Sequence, residues 1–511
     1  MSVLDLDPAD PMPAAQAVLA AAERATAHDP GLATRVRQAR ERLEGPLRVA
    51  IAGKVKAGKS TLVNAFLADD LAPTDAGECT MVTTWFQHGA VPGTRVVGKD
   101  GVTRELPFRR RGGHFVMGLG GLELDDVARV EVDWPSPFLR NLTLIDTPGI
   151  DSLTTEASDR TTGFLLGRDS SNESRAPGRA DVDAVIYLMR HRHSVDLTFV
   201  SELARSASDA HGAATTLVVL SRADELGGGR IDSLVSARDI ATAYADEPLL
   251  RAHSVGVVPV AGLLAHGSRM LRQDDVELMS ALTGVTRDDR ETMLISADRY
   301  VSHGVGGTTE QRRALVRRLG LFGIRMGAAL IRQGHTSPAG LARELENQSG
   351  LAAVVQVLED HFLPRSRLLI GRNLVDAMEL LAGECPDPGA EELRMACDRF
   401  RIAAEQGLSE LGMLFRLRSE EFPALDDRAL AEAARLLGGQ GTPTHRRLGL
   451  APDTGSEDVA MHWNESVERW RAVAQDAGGW RSSRRLARTV VAALDLMDVT
   501  FSSPAGLSEA T

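Results

Sequence analysis

The chain has 511 residues, about three times a typical domain length, so two or three domains are expected. Apolar residues make up 43% and charged residues 25%, which excludes wholesale disorder and a fibrous architecture. With 58 Lys and Arg against 70 Asp and Glu, the net charge of -12 excludes a general nucleic-acid binder and a broadly basic membrane adsorber, so any membrane contact has to be local.

No run approaches the roughly 20 apolar residues that span a bilayer, and the best candidate, Leu319 to Ile331, is cut by Arg325. Asp5, Asp7 and Asp10 precede the first Arg, so the start does not read as a signal peptide. Cys79, Cys385 and Cys397 share no metal-ligand spacing and make no disulfide framework, so a cytoplasmic location is expected. Three of the four lysines, Lys54, Lys56 and Lys59, fall within one six-residue stretch.

In chain order, residues 13–43 read as one or two helices through Val18, Leu19, Val36 and Leu43. Leu47 to Ala52 is a short apolar run ending in glycine and reads as a buried strand. Further strands are expected at Ala128 to Val132, Leu142 to Ile145, Ala184 to Leu188, Thr216 to Leu220 and Val255 to Val260. Their alternation with helical stretches predicts an α/β domain with a mostly parallel sheet. Residues 98–125 read as an antiparallel excursion or long loop, and 167–180 have the composition of a mobile loop.

Residues 310–333 read as the last helix packed on the sheet, and Gly334 to Pro338 as the domain boundary. Beyond it the pattern is all-α. Leu351, Val354, Val355, Leu358 and Phe362 form one helical stripe, with a kink expected at Pro364. Leu393, Ala396, Phe400, Ala404, Leu408, Leu411 and Phe415 form another, and Glu384 to Gly389 is the turn between them. This predicts an antiparallel hairpin roughly 45 Å long. Residues 438–456 read as a Gly/Pro-rich loop, 481–500 as a final helix with Arg on one side, and 501–511 as a disordered tail. The expected domains are therefore 1–46, 47–334 and 335–500.

Gly53-Lys54-Val55-Lys56-Ala57-Gly58-Lys59-Ser60, followed by Thr61, has P-loop spacing between a predicted strand and a predicted helix. Glycines let backbone N–H groups turn inward around phosphate oxygens, and the helix N-terminus adds partial positive charge. Lys59 would reach the β- and γ-phosphates, and Ser60 would ligate Mg²⁺. The strand Leu142 to Ile145 then delivers Asp146 to the sheet edge, where it would hold Mg²⁺ through water. Gly149, at the end of Asp146-Thr147-Pro148-Gly149, would offer its N–H to the γ-phosphate.

Ser221-Arg222-Ala223-Asp224 closes another strand. A carboxylate there can accept two hydrogen bonds from guanine N1 and N2, a pair that adenine does not offer. The Arg222 stem can lie over the purine face. The turn at Val260 and Ala261 stands where a weaker base contact belongs. Thr80 is the first choice for a switch hydroxyl that closes onto Mg²⁺, with Thr83 and Thr84 as alternatives, because Val82 to Phe86 reads as the following strand. Ile150 stands where a water-positioning glutamine would follow Gly149, so Lys56 is the candidate cation for charge developing at the β–γ bridge.

His191 and His193 lack other ligands nearby and read as solvated. The arginine clusters at 109–111, 312–318 and 481–488 read more readily as solvated faces than as partner sites.

The stretches Ala52 to Ala65, Ala72 to Thr80, Ser221 to Glu225 and Gly320 to Met326 resemble bacterial dynamin-like GTPases. Among these, the likeness is to the isoniazid-inducible dynamin-like proteins of mycobacteria, nearest the shorter member of that pair. It covers about 47–334 specifically and the helical remainder more weakly, including Arg447 to Leu450. The resemblance implies Mg²⁺-dependent GTP hydrolysis and a helical neck and trunk built partly from the chain's two ends. It also implies self-association or assembly with a second dynamin-like protein, and membrane remodelling at the cytoplasmic leaflet. The acidic turn from Glu384 to Glu392 departs from a lipid-binding tip, and Gly438 to Leu450, with Arg446 and Arg447, is the better candidate for an anionic membrane surface. A GTP-gated scaffold with little catalysis, and a P-loop ATPase, remain as alternatives.

Overall fold

The computed structural model describes residues 11–72, 82–111, 114–116, 118–119, 121–150, 165, 181–191, 194–206, 215–419, 422, 424–476 and 480–497. They form two compact units. One holds the described residues of Gly45–Ser206 and Thr215–Gln356, the other those of Met1–Glu44 and Val357–Thr511.

The first unit contains the strands. They are β1 Leu47–Gly53, β2 Thr84–His88, β3 Gly93–Gly98, β4 Thr103–Leu106, β5 Arg109–Arg111, β6 His114–Val116, β7 Val127–Trp134, β8 Leu142–Asp146, β9 Ala184–Met189, β10 Thr216–Ser221 and β11 Val257–Val260. Nine of them form one sheet in the order β11-β10-β9-β1-β8-β2-β7-β3-β4, and β5 pairs with β6. The pairs β1–β8, β1–β9, β9–β10, β10–β11 and β2–β7 are parallel, whereas β2–β8, β3–β7 and β3–β4 are antiparallel. The expected mostly parallel α/β sheet is present; of its antiparallel part, residues 98–125 supply only the edge strand β4, and their β5–β6 hairpin stands as a separate two-stranded sheet, while the antiparallel pairings β2–β8 and β3–β7 lie outside that stretch. Every residue of β9 and β10 is buried, as continuous aliphatic runs require when both faces of a sheet are covered.

The sheet positions three chain segments at one edge. Gly53 ends β1 and Leu188 faces it on β9, while Ile51 is in register with Asp146 on β8. Ser221, ending β10, is in register with Val260 on β11. These are the carboxyl ends of parallel strands, where open α/β sheets bind ligands.

The helix Thr309–Arg332 bends at Gly320, whose φ of 63° suits glycine. It packs against the helices Gly262–Arg269, Gln273–Ala281 and Pro338–Gln348. The boundary expected at Gly334 to Pro338 is instead a turn inside this unit. Leu341 and Leu345, one helical turn apart, are fully buried in the same core as Leu319, Phe322 and Ile324. Removing that helix would expose both leucines, so the unit continues to Gln356.

The second unit is helical. Its hairpin consists of Ser366–Ala382 and the 31-residue helix Gly389–Ser419, about 46 Å long. The expected kink at Pro364 is a π turn at Leu358–Phe362 followed by a 3-10 turn at Leu363–Arg365. Met12–Ala25 packs on the hairpin through a small-residue face of Ala14, Ala15, Val18, Leu19, Ala21 and Ala22. Pro30–Glu44 follows it. Arg24 and Arg35 take up Glu392 and Glu384 at 2.6 and 2.7 Å, which accounts for the acidic hairpin turn. At the other end, Trp470, Leu486 and Val490 lie in a core shared by Asp427–Leu436, Ser456–Gln475 and Arg481–Asp495.

The stretch 438–456 is not simply a loop. It contains the helix Thr444–Leu448, with Leu448 buried. Arg446 pairs with Asp360, Arg447 pairs with buried Glu410 at 2.9 Å, and Arg447 Nη1 donates to the Leu436 carbonyl. Both arginines are therefore engaged within the helical unit.

Candidate active site

The loop after β1 owes its shape to a few backbone positions. A Cβ at Gly53 would lie 2.5 Å from the Leu188 carbonyl oxygen, so only glycine fits against β9 there. Lys56 and Gly58 are left-handed at φ 62° and 97°, and Gly58 leads directly into the helix Lys59–Leu67. Lys59 is buried, and its Nζ donates to the carbonyls of Gly53 at 3.1 Å and Lys54 at 3.2 Å. Burial lowers its pKa, and the Asp146 charge opposes that shift. The Lys54 side chain lies 3.5 Å from Asp196, a buried carboxylate that also accepts from Tyr187. Lys54 thus belongs to the loop through its backbone, and its charge is held by Asp196. Val55 and Lys56 are exposed.

Ser60 Oγ donates to Asp146 Oδ2 at 2.9 Å. Burial pushes the Asp146 carboxyl up to about 6, against the Lys59 charge and the Ser60 hydrogen bond. Asp146 Oδ1 is buried with no hydrogen-bond partner among the described residues. A hydroxyl and a carboxylate with an unsatisfied buried oxygen form a hard-oxygen donor set that fits Mg²⁺. The segment after Asp146 lies along the phosphate loop. Thr147 Oγ1 donates to the Ile51 carbonyl at 2.9 Å, Ile150 N–H donates to Gly53, and Val55 N–H donates to Ile150. A Cβ at Gly149 would sit 2.5 Å from Val55 Cγ2, so glycine permits this approach. Thr80 lies outside the described residues. Of its alternatives, Thr84 is buried in β2 opposite Asp146.

On the other side, Ala57, Gly58 and Thr61 share a cavity of about 170 Å³ with Ser221, Arg222, Asp224 and Val260. Asp224 is 8% exposed, and burial raises its carboxyl to about 6. The neighbouring Glu225 charge adds to the rise, while its own backbone hydrogen bond and the Arg222 charge oppose it. Arg222 is left-handed at φ 53° and donates to Glu225 at 2.7 Å, and Glu225 also accepts from Arg190. Ser221 Oγ donates back to the Met189 carbonyl on β9.

Ala261 does not join this cavity. Its N–H donates to the Ser349 carbonyl at 2.8 Å, and the next residue, Gly262, lines the cavity instead. Leu188 and Leu263 also line it without having been signalled by any motif. Asn64 was legible only as a polar residue in an apolar helix. Its Oδ1 accepts from Leu71 and Ala72 N–H, and its Nδ2 donates to Ala72, which braces the segment entering 73–81.

This geometry can be set beside known proteins. The model of the Dynamin family matches residues 49–223, from β1 to the residue before Asp224. The chain is 35% identical over 464 residues to the isoniazid-induced protein IniC of Mycobacterium tuberculosis, covering 90% of this chain and 92% of that one. The chain belongs to the dynamin family. Its sheet unit is thus a dynamin-type GTPase domain, with the Gly53 to Ser60 loop and Asp146 inside the matched segment. The isoniazid-induced protein IniA of the same organism is 34% identical over 177 residues, covering 32% of this chain and 27% of that one. A solved chain from an oligomerised bacterial dynamin pair aligns at 13% identity with a TM-score of 0.31, covering 84% of this chain and 78% of that chain, which is too distant to carry weight. Among the described residues of this dynamin-family chain, no helix is long and apolar enough to cross a membrane.

Proposed function

We propose that this dynamin-family chain hydrolyses GTP to GDP and phosphate with Mg²⁺. In this reading it couples nucleotide-dependent assembly, with itself or a second dynamin-like protein, to remodelling of a membrane at its cytoplasmic face. The observation that carries the nucleotide reading is that Asp224 opens onto the same cavity as Ala57 and Gly58. One site thereby joins a purine-reading carboxylate to a phosphate cradle.

The ionised Asp224 carboxylate accepts from guanine N1–H and N2–H. Adenine would leave it buried without those donors, which disfavours ATP. The Arg222 stem covers one purine face. The N–H groups where the loop enters the helix, at Gly58, Lys59 and Ser60, would receive the phosphates, since those of Val55 and Ala57 are taken by the Ile150 and Lys54 carbonyls, and Lys59 would exchange its two loop carbonyls for β- and γ-phosphate oxygens. Ser60 Oγ and Asp146 would hold Mg²⁺, with Thr80 closing from the switch segment. The chemistry such a cation would supply there is neutralisation of phosphate charge. Lys56, exposed on the loop, supplies a second positive charge toward the β–γ bridge, because Ile150 has no group to orient a water.

The side-chain departures at Ser221 and Ile150 leave room for a second reading. In that reading the chain is a GTP-gated scaffold with little turnover. Calorimetry with a non-hydrolysable GTP analogue and with an ATP analogue tests the base assignment, and equal affinities would sink it. Phosphate release measured with and without liposomes, over a range of protein concentration, separates the two readings. Stimulated turnover supports the mechanochemical enzyme, and GTP-dependent partner binding with negligible turnover supports the scaffold.

A further inference from the structure

The helical unit contains a cavity of about 380 Å³, larger than the 170 Å³ base cavity. Its walls come from Ser366–Ala382, Gly389–Ser419 and Arg481–Asp495. Helical spacing brings Arg401, Glu405, Leu408, Gly412 and Arg416 onto one face of the middle helix. Arg372 joins from the first helix and Arg485 from the last, so four arginines line one cleft. The carboxylates lining it are Asp376 and Glu405. Arg401 additionally pairs with Glu379 and, at 3.4 Å, with Asp398. The cavity lining is thus net positive in a chain whose overall charge is -12. Buried Val375, Phe400 and Met413 provide apolar wall.

Guanidinium forks match the oxygen spacing of phosphate and bind it bidentately. The volume falls in the range of small-molecule sites, which combine apolar walls with a few charged groups. The surroundings are amphiphilic as well. Leu380 follows Glu379 and Ile402 follows Arg401, and these two apolar side chains are 56% and 61% exposed. Arg446 and Arg447, the arginines that the sequence favoured for lipid contact, are engaged with Asp360 and Glu410.

We propose that this cleft binds a phosphate-bearing anion, with Arg416 and Arg485 as ligands. The headgroup of an anionic phospholipid and a soluble phosphate ester are the two sources of that chemistry. The site is independent of the nucleotide reading, since none of its residues belongs to the sheet unit.

The experiment uses the full chain. Co-sedimentation with vesicles of phosphatidylcholine alone, or with added phosphatidylglycerol, tests the lipid source. Calorimetry with inositol hexakisphosphate and with glycerol 3-phosphate tests the soluble source. The R416Q/R485Q double variant is expected to weaken whichever binding is found by about tenfold or more, the effect of losing charge-assisted contacts. R488Q, on the same helix but outside the cavity lining, should bind as wild type does, and GTP turnover should not change in either. R485Q alone, at an exposed position, repeats the test if the double variant melts early. Vesicle binding that depends on phosphatidylglycerol assigns the lipid headgroup, and binding of the soluble esters alone assigns the ester. The proposal is overturned if no probe binds, or if the folded double variant or R485Q binds as tightly as wild type.

Discussion

Ser60 Oγ and Asp146 Oδ2 are hydrogen-bonded at 2.9 Å although 86 residues separate them in the chain. Asp146 Oδ1 is buried and has no hydrogen-bond partner among the described residues, which is where the proposed Mg²⁺ would bind. Ser60→Ala removes one oxygen ligand and one hydrogen bond to the carboxylate. The Mg²⁺ concentration needed for binding of a GTP analogue should rise about 10- to 100-fold. A fluorescent-nucleotide titration against Mg²⁺ reads this directly, and an unchanged midpoint would remove Ser60 from the metal site.

Asp146 and Asp224 both titrate near 6 in the folded chain, raised from 3.8 by burial. Between about pH 4 and 6 the folded state therefore holds more protons than the unfolded one, and these groups make the nucleotide-free protein less stable as pH rises through that window. In the proposed function their ionised forms would be the ones that hold Mg²⁺ and guanine. Affinity for Mg²⁺ and GTP should thus fall as pH drops below about 6, while the contribution of the two carboxyl groups to stability without nucleotide increases. Asp224→Asn should raise the nucleotide-free Tm at neutral pH, lose GTP binding and gain affinity for xanthosine triphosphate. Paired melting and binding profiles from pH 5 to 8 check both signs.

Arg325 holds the turn after Asp224 from a position 96 residues beyond Gly229. Its Nη1 donates to the Gly229 carbonyl at 2.7 Å and its Nη2 to Leu294 at 2.5 Å, with Glu291 Oε2 3.5 Å from Nε. Gly229 ends the turn that begins at Ala223. Arg325→Ala should raise KM for GTP about tenfold with kcat nearly kept, because the loss falls on base positioning and not on the phosphates. Recovery of KM on adding free guanidinium would separate this role from general destabilisation.

Lys56→Ala should leave GTP-analogue affinity near wild type and lower kcat by about 10²-fold or more, the scale of removing one preorganised charge stabiliser. Full turnover in this variant would assign the β–γ charge to another group.

Gly350 is left-handed at φ 82°, and a Cβ there would lie 2.1 Å from the Pro259 carbonyl oxygen. Gly350→Ala should destabilise the protein by about 1–3 kcal/mol or more through backbone strain and displacement from β11. It should also weaken nucleotide binding, because the adjacent Ser349 carbonyl holds the Ala261 N–H. Denaturant melts beside nucleotide titrations test the two effects together.

Much of this site was legible because its chemistry is local. Gly53 to Ser60, Asp146 and Asp224 each follow an aliphatic run that can only be a buried strand, so their arrival at one sheet edge follows from parallel pairing. Ala261 was misread because its N–H is taken by a residue 88 positions later, which no local pattern reports. The boundary at Gly334 to Pro338 was misread for a related reason. Its glycine and proline correctly mark a chain turn, but only the burial of Leu341 and Leu345 shows that the helix beyond it stays in the same core.

Sequence by itself pointed to the strands that carry the site, the P-loop spacing, the two carboxylates and the helical hairpin, because these depend on short-range periodicity and backbone conformation; β3 at Gly93–Gly98 and the helices between Ser233 and His303 came only with the structure. Tertiary structure alone decided which charges remain available. Lys54, Arg446 and Arg447 look alike in sequence as candidates for anionic ligands, yet Asp196, Asp360 and Glu410 hold them. The physical reason is that charge pairing depends on distance in space, and the partners here lie 37 to 142 residues away along the chain.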